Sequence, residues 1–144
     1  MEINTSIEIK SSKDKVFAAL ITPSQIIQWW QASSALVVAR KDGLFAVRWG
    51  GNEDDPDYIS AASITRFNPP QFIRLENFIY YVKGQPEENI EDLPAEFRIK
   101  EKSAGAVELE IYQAGFPSDQ PDFMENCRKG WQDVLIALKK LLKN

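Results

Sequence analysis

Few residues of this chain could carry out catalysis. It has no histidine, and Cys127 is its only cysteine. A Cys/His zinc site, a Ser-His-Asp triad, a Cys-His pair and an internal disulfide are therefore excluded, and we expect no metal and no cofactor. Neither of the common glycine-rich phosphate-binding motifs occurs. Any catalysis would depend on Asp, Glu, Lys, Arg or Tyr, and their spacing assigns no acid–base pair.

One cluster near the C-terminus could instead form a binding surface. Apolar residues recur there every three or four positions, which predicts a long amphipathic helix beginning near Pro121: Phe123, Cys127, Trp131, Val134 or Leu135, Leu138, and Leu141 or Leu142. Cys127, Gly130 and Trp131 place two small residues beside the largest side chain. Such a face can cover an apolar cavity, or it can pack into a closed core, and the spacing leaves both alternatives open.

The elements that must position this helix are mainly strands. Ile3–Ile9 alternates apolar and polar residues, a cap at Ser11 or Ser12 predicts a first helix, and Thr22-Pro23 predicts a short second one. Further strands are predicted at Ala35–Arg40, Leu44–Trp49, Tyr58–Phe67, Phe72–Tyr81, Ala95–Lys100 and Val107–Ile111. An Asp-Gly hairpin turn at residues 41–43 and the short links favour an antiparallel meander within one domain, residues 1–144.

Charge and hydropathy limit the partners. The net charge of −4 makes nucleic acid an improbable partner, so we expect none. No apolar run approaches the ~20 residues that cross a bilayer, so no membrane insertion is expected. The N-terminal residues lack the pattern of a signal peptide, which predicts a cytoplasmic location. The acidic loops at residues 50–57 and 84–92 are interpreted as solvated charge.

Four stretches together resemble one protein family. They are Ser12–Leu20, Asn68–Leu75, Val107–Pro117 and Gly130–Leu142, and they extend over nearly the whole chain. The sequence resembles the activator of heat-shock-protein-90 ATPase homologue family of the START-like (SRPBCC) superfamily. The resemblance implies a helix-grip α+β fold. In that fold two short N-terminal helices and a long C-terminal helix accompany a curved antiparallel sheet of about six or seven strands.

In such folds the long helix covers a cavity on the sheet, so the resemblance gives the cluster around Cys127 a possible role. The candidate lining residues are Trp30, Phe45, Trp49, Leu75, Asn77, Phe97, Leu109, Phe123, Cys127 and Trp131. Asn77 shares its register with Ile73, Leu75 and Ile79, which predicts an inward-facing amide. Arg48 and Arg98 are candidates for holding an anionic group at the cavity mouth.

Three functions are consistent with these residues. The first is non-catalytic binding of a hydrophobic or amphipathic small molecule. The second, implied by the resemblance alone, is a co-chaperone or stress-response protein that stimulates a chaperone ATPase. The third is an enzyme acting on a hydrophobic substrate. A homodimer is compatible with each of them.

Overall fold

The computed structural model describes residues 1–85 and 92–143. Its elements follow the chain in this order: β1 (Ile3–Ile9), α1 (Lys13–Ile21), α2 (Pro23–Trp29), β2 (Ser34–Val37), β3 (Leu44–Gly51), β4 (Pro56–Asn68), β5 (Phe72–Val82), β6 (Ala95–Ser103), β7 (Ala106–Gln113) and α3 (Pro121–Leu141). The strands form one seven-stranded antiparallel sheet in the order β1-β7-β6-β5-β4-β3-β2. The predicted helix-grip architecture is confirmed. Within the described ranges, no helix combines the length and apolarity needed to cross a membrane.

The helix starts follow local capping rules with one exception. Ser12 caps α1, because its hydroxyl accepts a hydrogen bond from the backbone N–H of Lys15 at 3.3 Å. Pro23 opens α2 at a position where its missing N–H costs nothing. The exception is α3, where the residue before the helix is Gln120 and its side chain makes no capping bond.

The connection between β2 and β3 is wider than the predicted Asp-Gly turn. β2 ends at Val37, not Arg40, and residues 38–43 form the link. Asp42 has a φ of 66°, and its N–H donates to the Ile64 carbonyl at 2.7 Å. A Cβ on Gly43 would lie 1.9 Å from the Val38 carbonyl oxygen, so only glycine fits there. Residues 86–91 of the second acidic loop lie outside the described residues.

The outer face of the sheet carries a ladder of charges across β5, β6 and β7. Arg74 contacts Glu76 at 3.0 Å and also pairs with Glu96, while Arg98 reaches Glu96 at 2.6 Å and Glu110 at 3.1 Å. Hydrogen bonds from Thr65 and Arg74 lower the pKa of Glu76. The prediction that Arg98 reaches the cavity mouth is therefore wrong, since alternation along β6 turns it to the opposite face.

A β-bulge at Asn77 changes which side chains of β5 face inward. Ser63 pairs with Glu76 and Ala61 with Ile79, so two steps along β4 oppose three along β5. Asn77 has a φ of 58°, in the left-handed region that asparagine tolerates better than most residues. Its side chain is exposed, which makes the prediction of an inward amide wrong.

The same bulge reverses the alternation beyond it. Phe78 is buried, whereas Ile79 is 61% exposed, although the strict two-residue period placed Ile79 inside. The pairing of β5 with β6 ends at Leu75 and Ala95, just before the bulge. The backbone N–H of Asn77 donates instead to Asp92 Oδ1 at 2.9 Å. β6 begins at Ala95, so β5 continues beyond Asn77 without β6 beside it.

We expect the bulge to depend on the left-handed backbone of residue 77. Asn77→Ala should lower the free energy of unfolding by about 1–2 kcal/mol, because a Cβ without a compensating polar group is strained there. Asn77→Gly should stay within about 0.5 kcal/mol of the parent, since glycine adopts this conformation freely. Urea denaturation measures both values.

Asn4→Ala is the matched control, because Asn4 is an exposed strand residue in β1. Its effect should be below about 0.5 kcal/mol. If Asn77→Ala were no more destabilising than Asn4→Ala, the strain assigned to the bulge would be wrong.

Candidate ligand-binding cavity

A cavity of about 720 Å³ lies between the N-terminal half of α3 and the inner face of the sheet. This volume falls within the range of roughly 300–1,000 Å³ typical of small-molecule sites. Its described lining comprises Trp30, Trp49, Tyr58, Ser60, Leu75, Phe78, Tyr80, Val82, Leu93, Gln113, Gln120, Phe123, Cys127, Gly130 and Trp131. The buried residues of α3 are Trp131, Val134, Leu135 and Leu138. The C-terminal half of the helix therefore packs on the core, and its N-terminal half covers the open space.

Six of the ten candidate residues line this cavity: Trp30, Trp49, Leu75, Phe123, Cys127 and Trp131. Phe45 and Phe97 do not, because Phe45 packs against the ring of Trp30 and Phe97 meets the ring of Trp131 edge-on, within the buried core. Leu109 is fully buried between Ile7 and Ile99 in the neighbouring strands. Asn77 is excluded by the bulge. That the lining residues contact a ligand stays a prediction.

Aromatic rings form a continuous wall around the cavity. Successive ring centroids along the chain of contacts are 5.1–6.4 Å apart, in the order Trp131, Trp30, Trp49, Tyr58, Tyr80 and Phe78. These separations suit offset and edge-to-face contacts between rings. Because each ring is held by the next, the wall resists collapse into the open space.

Hydrogen bonds fix two indoles of this wall, those of Trp131 and Trp49. Trp131 Nε1 donates to Gln113 Oε1 at 2.8 Å, and Gln113 Nε2 donates to the Leu93 carbonyl at 3.0 Å. Trp49 Nε1 donates to the Trp30 carbonyl at 3.1 Å. Gln113 thus joins α3 to the segment that directly precedes β6.

Two further polar groups of the lining, the Tyr58 phenol and the Cys127 thiol, are weak acids. Burial raises the pKa of the Tyr58 phenol, and the nearby Cys127 raises it further. Burial also raises the pKa of the Cys127 thiol. Both side chains are therefore neutral at physiological pH. Cys127 thus has the character of an unreactive thiol, since nucleophilic cysteines require a lowered pKa.

The two arginines proposed for the cavity mouth are occupied elsewhere. Arg48 donates to Ser34 Oγ at 3.1 Å and to the Gly50 carbonyl at 2.9 Å. Arg98 belongs to the outer ladder. None of the described lining residues is Asp, Glu, Lys or Arg.

Gly130 leaves open space beside Trp131. A Cβ built on it would meet no atom within 4 Å among the described residues, and its φ is not in the left-handed region. Neither sterics nor backbone conformation therefore requires glycine here. Its effect is to leave the rim of the cavity wide.

The family comparison agrees with this architecture. The family model "Activator of Hsp90 ATPase homolog 1-like protein" matches residues 10–143. The chain belongs to this family. A comparison with curated proteins finds no match.

Solved structures similar to this family member share its fold. The solution structure of the Aha1 dimer from Colwellia psychrerythraea has a TM-score of 0.76 at 20% identity, with 99% of this chain and 96% of that chain covered. A crystal structure of a Nitrosomonas europaea protein has a TM-score of 0.79 at 15% identity, with coverages of 99% and 94%. CalU16 from Micromonospora echinospora has a TM-score of 0.71 at 21% identity, with coverages of 98% and 75%.

Several residues that line the cavity were not predicted from the sequence. Tyr58 and Ser60 continue the inward alternation of Ala62 and Ile64, and Gln113 continues that of Ile111, so the period of two could have found them. Phe78 and Tyr80 fall on the opposite face under strict alternation, so the bulge hid them, and Val82 lies beyond the predicted end of the strand at Tyr81. No periodic signal marks Leu93 or Gln120, which lie outside the strands and helices.

We expect the bonds of Gln113 to stabilise the wall. Gln113→Leu should lower the free energy of unfolding by about 2–3 kcal/mol, because the buried Trp131 N–H and the Leu93 carbonyl lose their partner. Trp131→Phe in that background should cost less than in the parent by roughly 1 kcal/mol. Denaturation of both single variants and the double variant measures this coupling. Strict additivity would contradict the bond.

Proposed function

We propose that this protein binds a hydrophobic or amphipathic small molecule in the cavity beneath α3, without catalysing its conversion. The observation that carries the proposal is the 720 Å³ cavity with an interlocked aromatic wall. An apolar ligand that enters such a space leaves water and gains contact with the rings. Family membership is consistent with this role.

The fixed wall lowers the cost of binding. The indoles of Trp49 and Trp131 are held by hydrogen bonds to groups of the protein itself. Their side-chain freedom is therefore lost on folding, not on binding. Such preorganisation leaves more of the contact free energy available for affinity.

The ionisable groups in the cavity support binding over catalysis. Two weak acids of the lining, Tyr58 and Cys127, lie close enough to interact, and the pKa of each is raised. A protonated phenol and a protonated thiol are a poor general base and a poor nucleophile. An enzyme acting on a hydrophobic substrate is for this reason the third candidate.

A co-chaperone is the second candidate, and the family description supports it. Its direct assay is the ATPase rate of the cognate chaperone with and without the protein. The Aha1 structure from Colwellia psychrerythraea is a dimer, which makes a homodimer a proposal for this chain as well. Light scattering after size-exclusion chromatography measures that state.

The position of the pocket can be tested at Gly130. Gly130→Leu should reduce ligand occupancy by roughly tenfold, because a clash at the rim that costs about 1.4 kcal/mol changes the affinity by that factor. Native mass spectrometry of freshly purified protein measures the occupancy and identifies the mass of any retained lipophilic molecule.

Two variants control this experiment. Gly130→Ala should raise the free energy of unfolding by about 0.5–1 kcal/mol through helix propensity and retain uptake, since its Cβ meets no described neighbour. Lys129→Leu adds the same side chain one position away, at an exposed residue outside the lining. Equal occupancy in Gly130→Leu and Lys129→Leu would place the binding site elsewhere.

A further inference from the structure

The lining of the cavity favours ligands of a particular charge and hydrogen-bonding capacity. We infer that its ligand is an uncharged, flat molecule that carries an oxygen acceptor, such as an aromatic ketone, ester or ether. The inference rests on the proposed binding function and adds the chemical class of the ligand.

Charge is the first part of the inference. The described lining contains no ionised side chain, and Arg48 and Arg98 are engaged by other groups. A carboxylate, phosphate or ammonium in the cavity would lose its water without gaining a counter-ion. Transfer of an unpaired ion into such surroundings is far less favourable than transfer of a neutral group of the same shape. The cavity therefore selects against ionised ligands.

Unused hydrogen-bond donors are the second part. Within residues 1–85 and 92–143, the hydroxyls of Tyr58 and Ser60 and the indole N–H of Trp30 have no hydrogen-bond partner, although all three residues line the cavity. The Gln113 amide is already engaged at both its oxygen and its nitrogen. An indole N–H can only donate, and a hydroxyl can donate or accept. An oxygen acceptor on a ligand can therefore accept a hydrogen bond from any one of these groups.

The shape of the wall is the third part. Seven of the fifteen described lining residues carry aromatic rings. Flat ring faces stack favourably on other flat rings. A planar aromatic ligand therefore fits this wall better than a flexible alkyl chain, which would lose more rotational freedom on binding.

Four fluorescent probes with one aromatic frame test the charge and the donors. They are pyrene, 1-acetylpyrene, 1-pyrenecarboxylate and 1-pyrenemethylammonium, at neutral pH. The acetyl and carboxylate groups have nearly the same shape and differ in charge. Quenching of tryptophan emission reports binding, because Trp30, Trp49 and Trp131 line the cavity. Calorimetric titration provides a second affinity for each probe.

The ketone should bind roughly tenfold or more tightly than either ion. It should also bind at least as tightly as pyrene, although it is the more polar molecule, because the unused donors receive its oxygen. In a Tyr58→Phe/Ser60→Ala double variant, the ratio of ketone affinity to pyrene affinity should fall by about fivefold to tenfold. Circular dichroism of the variant checks that the fold is retained.

The possible failures are distinguishable. Carboxylate or ammonium binding as tight as ketone binding would overturn the selection against ions, while the binding function would stand. Pyrene binding much more tightly than the ketone, or an unchanged affinity ratio in the double variant, would overturn the role of the donors. Absence of binding by all four probes, together with no retained molecule in native mass spectrometry, would overturn the binding function and this inference with it.

Discussion

The extension of β5 beyond the start of β6, with the bulge at Asn77, is the constraint on which the cavity depends. A sheet paired along its whole length would give α3 a continuous surface to pack against. Here the pairing of the two strands ends at Leu75 and Ala95, and the bulge turns Phe78, Tyr80 and Val82 inward. Strain in the left-handed backbone of Asn77 opposes this arrangement, and the hydrogen bond from its N–H to Asp92 offsets part of that strain. The space under the helix therefore follows from the path of the backbone as well as from the small residues on α3.

The two halves of α3 contact different parts of the sheet. The C-terminal half meets paired strands and buries Val134, Leu135 and Leu138. The N-terminal half covers the part of the sheet where β5 extends beyond β6, and none of residues 121–130 is fully buried. An open space beside a helix is normally removed by collapse of its neighbours. Interlocked rings and the bonds of Trp131 through Gln113 to Leu93 oppose that collapse. The cavity is therefore a stable part of the fold.

The order of elements and the facing of several strands could be predicted from hydrophobic periodicity, because β1, β6 and β7 alternate apolar and polar residues. Asn77 and Ile79 were assigned wrongly for a physical reason: one inserted residue reverses every later side chain, and a bulge at an asparagine has no strong sequence signal. Phe97 was correctly placed on the inner face, but periodicity does not indicate which part of that face borders the cavity. Whether it reaches the cavity depends on Trp131, which covers it. A contact between residues this far apart in the sequence leaves no signal in the periodicity of either element.

The ion pairs of β5, β6 and β7 lie on the face of the sheet opposite the cavity. Residues that alternate outward on β5, β6 and β7 neutralise one another in the ladder from Glu76 to Glu110, so no arginine of those strands is left to face inward. The inner face retains aromatic rings and hydroxyls. Because charge–charge interactions weaken with distance and with intervening solvent, the ladder contributes little to the energy of a molecule bound on the other face. The affinity of the proposed ligand then depends on two quantities, the apolar surface that it buries and the hydrogen bonds that it makes to neutral donors. Since neither quantity changes greatly with salt, weak dependence on ionic strength follows directly from the division of the sheet into a charged face and a neutral one.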